Sequence, residues 1–192
     1  MYSVDQSPAG VRTNGYIAFR PTNRPMPRKP ARMFRQQMRG SYARKEYMGG
    51  IPGSRISQFE IGDLRTKFPV AIHLIADEPC LMRNQALEAA RISGNRHIAK
   101  MAGNAYRLQL RLYPHQVLRE HKIAVGAGAD RISSGMRAAF GSPVGTAARV
   151  EPGTKVFTIY TTEANVDHAR EAMRKAGAKL PSPWHLKVER PK

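Results

Sequence analysis

Apolar and polar positions alternate most strictly along residues 105–113, AYRLQLRLY. There Tyr106, Leu108, Leu110 and Leu112 interleave with Arg107, Gln109 and Arg111. A period of two is the mark of a strand with one face on a core, so the other face of this strand presents cations. Residues 68–76, FPVAIHLIA, read as a second strand with Val70, Ile72 and Leu74 on one side. Pro79 breaks the chain after it, and the period then changes. Asn84 is a candidate cap for a helix running to Ala102, with Gly103 as its stop. Leu87, Ala90, Gly94, Ile98 and Met101 form the predicted buried stripe of that helix, and Gly94 is expected to let its backbone approach the sheet. Arg96 and Lys100 share another face, one turn apart. That face is either ordinary solvated charge or a phosphate contact, and the helix alone does not decide between them.

Further along, GTAARV and residues 155–162, KVFTIYTT, read as strands joined by a turn at 151–153. Residues 165–176 predict a second helix, with Val166, Ala169, Met173 and Ala176 inward and Arg170, Arg174 and Lys175 outward. After Pro181 and Pro183, Trp184, Leu186 and Val188 alternate in a closing strand. Strands mixed with two main helices, without βαβ repetition, indicate an α+β fold: a mixed or antiparallel sheet with two helices packed on it. The body is expected to span residues 56–192 as one domain.

One long connection breaks the pattern. Between residues 121 and 145 the chain holds five glycines (126, 128, 135, 141 and 145), with SSGMRAAF as a short helix-like piece between two glycine turns. Glycine costs backbone entropy on ordering and buries no side chain. Lys122, Arg131 and Arg137 oppose a single Asp130 there. A glycine-rich, basic loop between patterned strands suggests a finger reaching for something anionic. Val117 and Leu118 before it, and Met136, Ala139 and Phe140 after it, are expected to pack and anchor its ends.

Charge sharpens this picture. Thirty-two Lys and Arg against fourteen Asp and Glu leave +18 on 192 residues. Such an excess attracts polyanions, nucleic acid before a membrane surface. No long apolar run or basic amphipathic anchor helix supports a membrane partner. A single cysteine, Cys80, excludes an intramolecular disulfide, and no apolar signal segment follows Met1, so the expected compartment is the cytosol.

Half of the net charge sits in residues 20–55, which hold ten basic residues against one acid, Glu46. Pro21, Pro25, Pro27 and Pro30 forbid a helix at its start and favour an extended path. Phe34, Tyr42 and Tyr47 lie among the arginines and offer faces that stack on bases. Arginine grips phosphate bidentately and also stacks. The expectation is an RNA-binding arm over residues 26–55. Residues 1–25, polar and without periodicity, are either an extension or a mis-assigned start.

The motifs of catalysis fail. GAGADR gives G-x-G, but Arg131 stands where a dinucleotide fingerprint needs glycine, and no G-K-[S/T] follows any glycine loop. The six histidines are scattered without zinc-ligand spacing. Cys80 has no spaced base, Asp77 and Glu78 sit at a strand end, and His73 reads as a packed or surface histidine. No cofactor is expected.

GAGADRISSGMRAAFGSPVGTAARV resembles the signature of a large-subunit ribosomal protein family, the archaeal and eukaryotic L-ten-e type (universal large-subunit protein sixteen). RKPARMFR, EYMGGIPGSRI, ALEAARISGNR and LRLYPHQVLRE resemble other blocks of that family in the same order, from about Met26 to Arg190. The resemblance implies a hammerhead-like extension of the sheet and a protein docked on large-subunit ribosomal RNA beside A-site transfer RNA. Its glycine loop would face the peptidyl-transferase region. Neighbouring large-subunit proteins are the other implied partners, and no homo-oligomer is expected. The short C-terminal end fits an archaeal-type member.

On this reading the arm contacts RNA through Arg24, Arg28, Lys29, Arg32, Arg35, Arg39, Arg44, Lys45 and Arg55. The body adds Arg96, Lys100, Arg107, Arg111, Arg119, Arg137 and Arg149. The loop facing transfer RNA is Lys122, Gly126, Gly128, Asp130, Arg131, Ser133 and Ser134. The alternative function is an RNA-modifying or nucleotide-using enzyme whose glycine loop closes over a substrate. Turnover or a bound nucleotide would favour it.

Overall fold

A computed structural model describes residues 45–121, 123, 126–137 and 139–190. The arm up to residue 44 lies outside them, together with Lys122.

Five strands form the main sheet: β1 (Glu60–Gly62), β2 (Val70–Ala76), β4 (Tyr106–Leu110), β7 (Lys155–Thr161) and β8 (Trp184–Glu189). Their order is β1-β4-β7-β2-β8. A smaller sheet, ordered β3-β6-β5, is made by β3 (Cys80–Arg83), β5 (Gln116–Glu120) and β6 (Ser142–Val150). Every pairing among the described residues is antiparallel. Two long helices, α1 (Asn84–Ala102) and α3 (Val166–Gly177), complete the α+β body, with a single-turn α2 (Ala129–Ile132) in the glycine-rich loop.

Register explains the core. Pairing aligns Leu108 with Ile159, Ile72 and Val188, and Leu110 with Phe157, Leu74 and Leu186. These rows lie on one face, against Leu87, Ala90 and Ile98 of α1 and Ala169, Ala172, Met173 and Ala176 of α3. The opposite face carries the rows Glu60–Gln109–Thr158–His73–Lys187 and Arg107–Tyr160–Ala71–Glu189. Alternation in β4 therefore separates a core from a polar surface, as its sequence predicts. β2 is buried along its whole length, with both edges paired, to β7 and to β8.

Several local expectations are corrected. Asn84 does not cap α1: Arg83 holds the cap position, and the Asn84 amide is buried, donating to Thr146 Oγ1 at 3.1 Å. That bond ties α1 to β6. Gly94 meets α3, not the sheet; a Cβ there would stand 3.4 Å from the Ala176 Cβ. Met101 lies outside the stripe, about half exposed, and Arg91 is buried instead. The short helix falls at 129–132, ahead of SSGMRAAF, whose described residues from Gly135 onward are turns. Met136 (72% exposed) and Ala139 do not pack, whereas Phe140, 46% exposed, lies with its ring against the Arg119 guanidinium. Residues 80–83 form a strand where only a break after Pro79 was expected. Strands β6 and β7 follow one another through the expected turn but belong to different sheets.

Candidate nucleic-acid interface

The segment leading from the arm into the body is held to α1. Arg91 and Glu88 pair through Nε and Oε2 at 2.8 Å, and Ser57 joins them, accepting from Arg91 Nη2 at 3.0 Å and donating to Glu88 Oε1 at 3.1 Å. The hydrogen bond from Arg91 holds the Glu88 carboxyl below the usual carboxylate range. Ile56 and Phe59 add apolar packing against the core. Arg55 is thereby carried, exposed, at the edge of the fold. Arg24, Arg28, Lys29, Arg32, Arg35, Arg39 and Arg44 lie outside the described residues, and Lys45 opens a 3₁₀ turn, Lys45–Tyr47.

On the polar face of the main sheet, Arg107 is engaged within the fold. Its Nη2 donates to Glu60 Oε2 at 2.9 Å, and its guanidinium carbon lies 5.7 Å from the Tyr160 ring centre. Gln109 donates to the other Glu60 oxygen at 2.8 Å. Arg107 is thus a sheet brace with half-exposed charge, whereas Arg111, just beyond β4, is exposed. Alongside, Tyr113 stacks on Phe59 at 5.6 Å between ring centres and stays 53% exposed, an open aromatic face.

His73 is buried beneath this face, between Thr158 and Glu189. Glu189 is held at about 2, first by its hydrogen bond from Lys187, so it only accepts. The neutral ring therefore donates from Nε2 to Glu189 at 3.0 Å and accepts the Thr158 hydroxyl at Nδ1, 2.9 Å away. Burial, with Lys155 nearby, pushes its pKa below the ordinary value. Between about pH 6.5 and that lower value the unfolded chain holds a proton the folded chain refuses, so stability falls as pH drops through this window. His73→Gln is expected to flatten the pH dependence of urea unfolding between about pH 7 and 5. An unflattened curve would assign that dependence to other groups.

The smaller sheet carries the glycine-rich loop. Gly141 has φ +79, and a Cβ there would fall 2.8 Å from the Glu120 carbonyl carbon, so the loop's return leg presses on β5 where only glycine fits. His121 Nε2 donates to the Gly135 carbonyl at 2.6 Å, closing the loop's base. Within it, Ser133 Oγ donates to Ala129 O at 3.1 Å and Ser134 Oγ to Arg137 O at 3.3 Å. Both serines are spent on local turns. Gly126, Gly128, Arg131 and Arg137 are exposed. Asp130 belongs to α2. Arg119 donates to the Phe140 carbonyl and lays its guanidinium over the Phe140 ring, 3.7 Å from the centre. Arg149 pairs with Glu151 at 3.3 Å.

The fold also assembles a cluster the sequence reading did not include. Arg96 and Lys100 of α1 line a cleft with His97, and Lys175 and Lys179 supply its other wall. Their helical spacing was visible, but the adjacency of α1 and α3 was not. Among the described residues there is no group of three or more His, Cys, Asp or Glu able to hold a metal ion, and no helix long and apolar enough to cross a membrane. Cys80 is buried in β3.

The described residues thus form an α+β body edged by exposed arginines and carrying a glycine-rich basic loop. The chain belongs to the ribosomal protein L16p/L10e family, which it matches over residues 37–187. It is 54% identical over 166 residues to large ribosomal subunit protein uL16 of Methanocella arvoryzae, covering 86% of this chain and 96% of that protein. The uL16 proteins of Archaeoglobus fulgidus (51% identical, 86% and 95% covered) and Halobacterium salinarum (49%, 86% and 96%) are also similar. Membership makes the chain a structural component of the ribosome, in the cytoplasm, and not an enzyme. The enzymatic alternative is overturned.

Proposed function

We propose that this protein is a constituent of the large ribosomal subunit that binds ribosomal RNA through its arm and exposed cations. We propose also that it steadies A-site transfer RNA near the peptidyl-transferase centre with its glycine-rich loop. The observation carrying the first part is the near-full-length similarity to archaeal large-subunit uL16 proteins. Phosphate neutralisation is the mechanism: the +18 charge has few internal acids to satisfy it, so RNA phosphates take that place. Support for the second part is the loop itself. Its described tip is exposed, its glycines leave little to bury, and Arg131 and Arg137 stand beside it. Neighbouring large-subunit proteins complete the environment.

Sedimentation of the native protein with large subunits tests the reading, before and after a high-salt wash. Retention at low salt and release at high salt are expected. Deleting residues 123–133 should leave co-sedimentation and folding intact, because His121 and the β5–β6 pairing lie outside the cut. Translation should then slow at a step after assembly. Loss of docking on deletion would mean that the loop is an anchor and not a sensor of transfer RNA.

A further inference from the structure

Three surfaces remain after the arm and loop are accounted for: the polar face of the main sheet, the open Phe59–Tyr113 stack, and the cleft between α1 and α3. The cations of the polar face are paired with its own acids. Glu60 holds Arg107, and Glu189 holds His73, Lys155 and Lys187. The stack offers one aromatic face and no second feature pointing to a ligand. The cleft differs in that three of its four cations have no acid of their own among the described residues.

Its volume is about 650 Å³, with Ala89, Ile92 and Ser93 as floor. Arg96 and Lys100 rise one turn apart on α1. Opposite them stand Lys175, near the end of α3, and Lys179, in the turn that follows, where its backbone N–H donates to Ala176 O at 3.0 Å. Elsewhere on α3 cations have acids of their own: Arg170 has Asp167 at 3.4 Å and Arg174 has Glu171 at 2.7 Å. Among the described residues, Arg96, Lys100 and Lys179 have no carboxylate within ion-pair distance. Glu171 is the acid paired with the cleft's Lys175. It reaches Lys175 only at 3.6 Å and is already committed to Arg174, whose hydrogen bond holds it at about 2.

The neighbouring histidine reports the same field. Lys175 Nζ donates to His97 Nδ1 at 2.8 Å, which requires a neutral ring. Burial first, then Lys175, pushes His97 below its ordinary pKa. Gathering like charges around a concave, partly apolar wall costs free energy in the isolated protein and focuses positive potential there. An anion laid in the cleft reverses that cost.

We propose that the cleft between α1 and α3 is a second seat for RNA, gripping the sugar-phosphate backbone through Arg96, Lys100, Lys175 and Lys179 independently of the arm. This rests on the reading of the protein as bound to ribosomal RNA. A nucleic-acid backbone fits better than an acidic protein segment. The lining offers cations and donors for phosphate oxygens, whereas its small apolar side chains are only those of Ala89 and Ile92.

The test is an amine-labelling footprint. Lys100, Lys175 and Lys179 are acetylated in the free protein and on purified large subunits, and read individually by mass spectrometry. The expected result is strong protection on the subunit, lost when ribonuclease digests the RNA. In parallel, the full chain carrying Arg96→Ala, Lys100→Ala and Lys179→Ala is titrated with large-subunit ribosomal RNA. Its slope of log affinity against log salt should be shallower than wild type by about 2–3, one phosphate contact per side chain at roughly 0.7–0.9 each. Protection that survives ribonuclease would assign the cleft to a protein neighbour and overturn the proposal. Unprotected lysines, or an unchanged slope, would overturn it as well. A chain that never sediments with large subunits would instead overturn the functional reading beneath it.

Discussion

Trp184→Ala is expected to lower the stability of the body by about 3–5 kcal/mol, the range for emptying a large buried aromatic site. Trp184 is 1% exposed and opens β8, beside Ala76 of β2. Its indole lies against the last residue of α3, Gly177, where a Cβ would stand 2.6 Å from Cζ2 and nearer still to Cε2. No carbon tolerates that approach, so Gly177→Ala must displace either the ring or the helix end. Overpacking of this kind costs about 1–3 kcal/mol. The informative result is the double variant. With the ring gone, the new methyl has room, so the two losses should sum to more than the double variant shows. Urea unfolding of the four proteins measures this, and strictly additive losses would mean that the contact does not set the helix position. Against a total stability of about 5–15 kcal/mol, the tryptophan alone carries a large share.

The second large effect concerns the arm. Replacing Arg28, Lys29, Arg32 and Arg35 by alanine should flatten the salt dependence of RNA binding by about 3 in slope, from four contacts at roughly 0.7–0.9 each. Unfolding of the body should not change, because the first buried residue among those described is Met48, and Ile56, Ser57 and Phe59 follow it, all beyond the four substituted positions. A slope equal to that of wild type would remove the arm as the RNA anchor. A lower unfolding midpoint would show that the arm packs on the body.

Both effects trace to features of different legibility. Strand β4 and the inward side of α3 were readable because a period of two or of 3.6 is local information. Strand β3 was not: CLMR is four residues after a proline, and its extended form comes from pairing with β6, Cys80 to Val150. Asn84 carries a capping residue's chemistry but spends it on Thr146, a partner 62 positions away. Gly94 announced a close approach, but the neighbour is α3 and not the sheet that its position suggested. In the same way Arg96 and Lys100 stayed ambiguous on one helix. Only packing supplies the facing lysines that turn a solvated stripe into a cleft. The arm's charge, by contrast, is compositional and was plain from the sequence.

The strand order has a kinetic corollary. β2 is the most enclosed strand of the sheet, yet its neighbours arrive late: Ile75 pairs with Lys155, and Ala71 with Tyr160 and Glu189. While the chain is being synthesised, an early apolar strand must wait, exposed, for both partners. Loop-closure entropy is met before those distant contacts return anything, so contact order this high predicts slow, late closure of the core. During that interval VAIHLIA is a bare edge, the kind of segment on which nascent chains aggregate. A newly made copy therefore has reason to be shielded until β8 is in place.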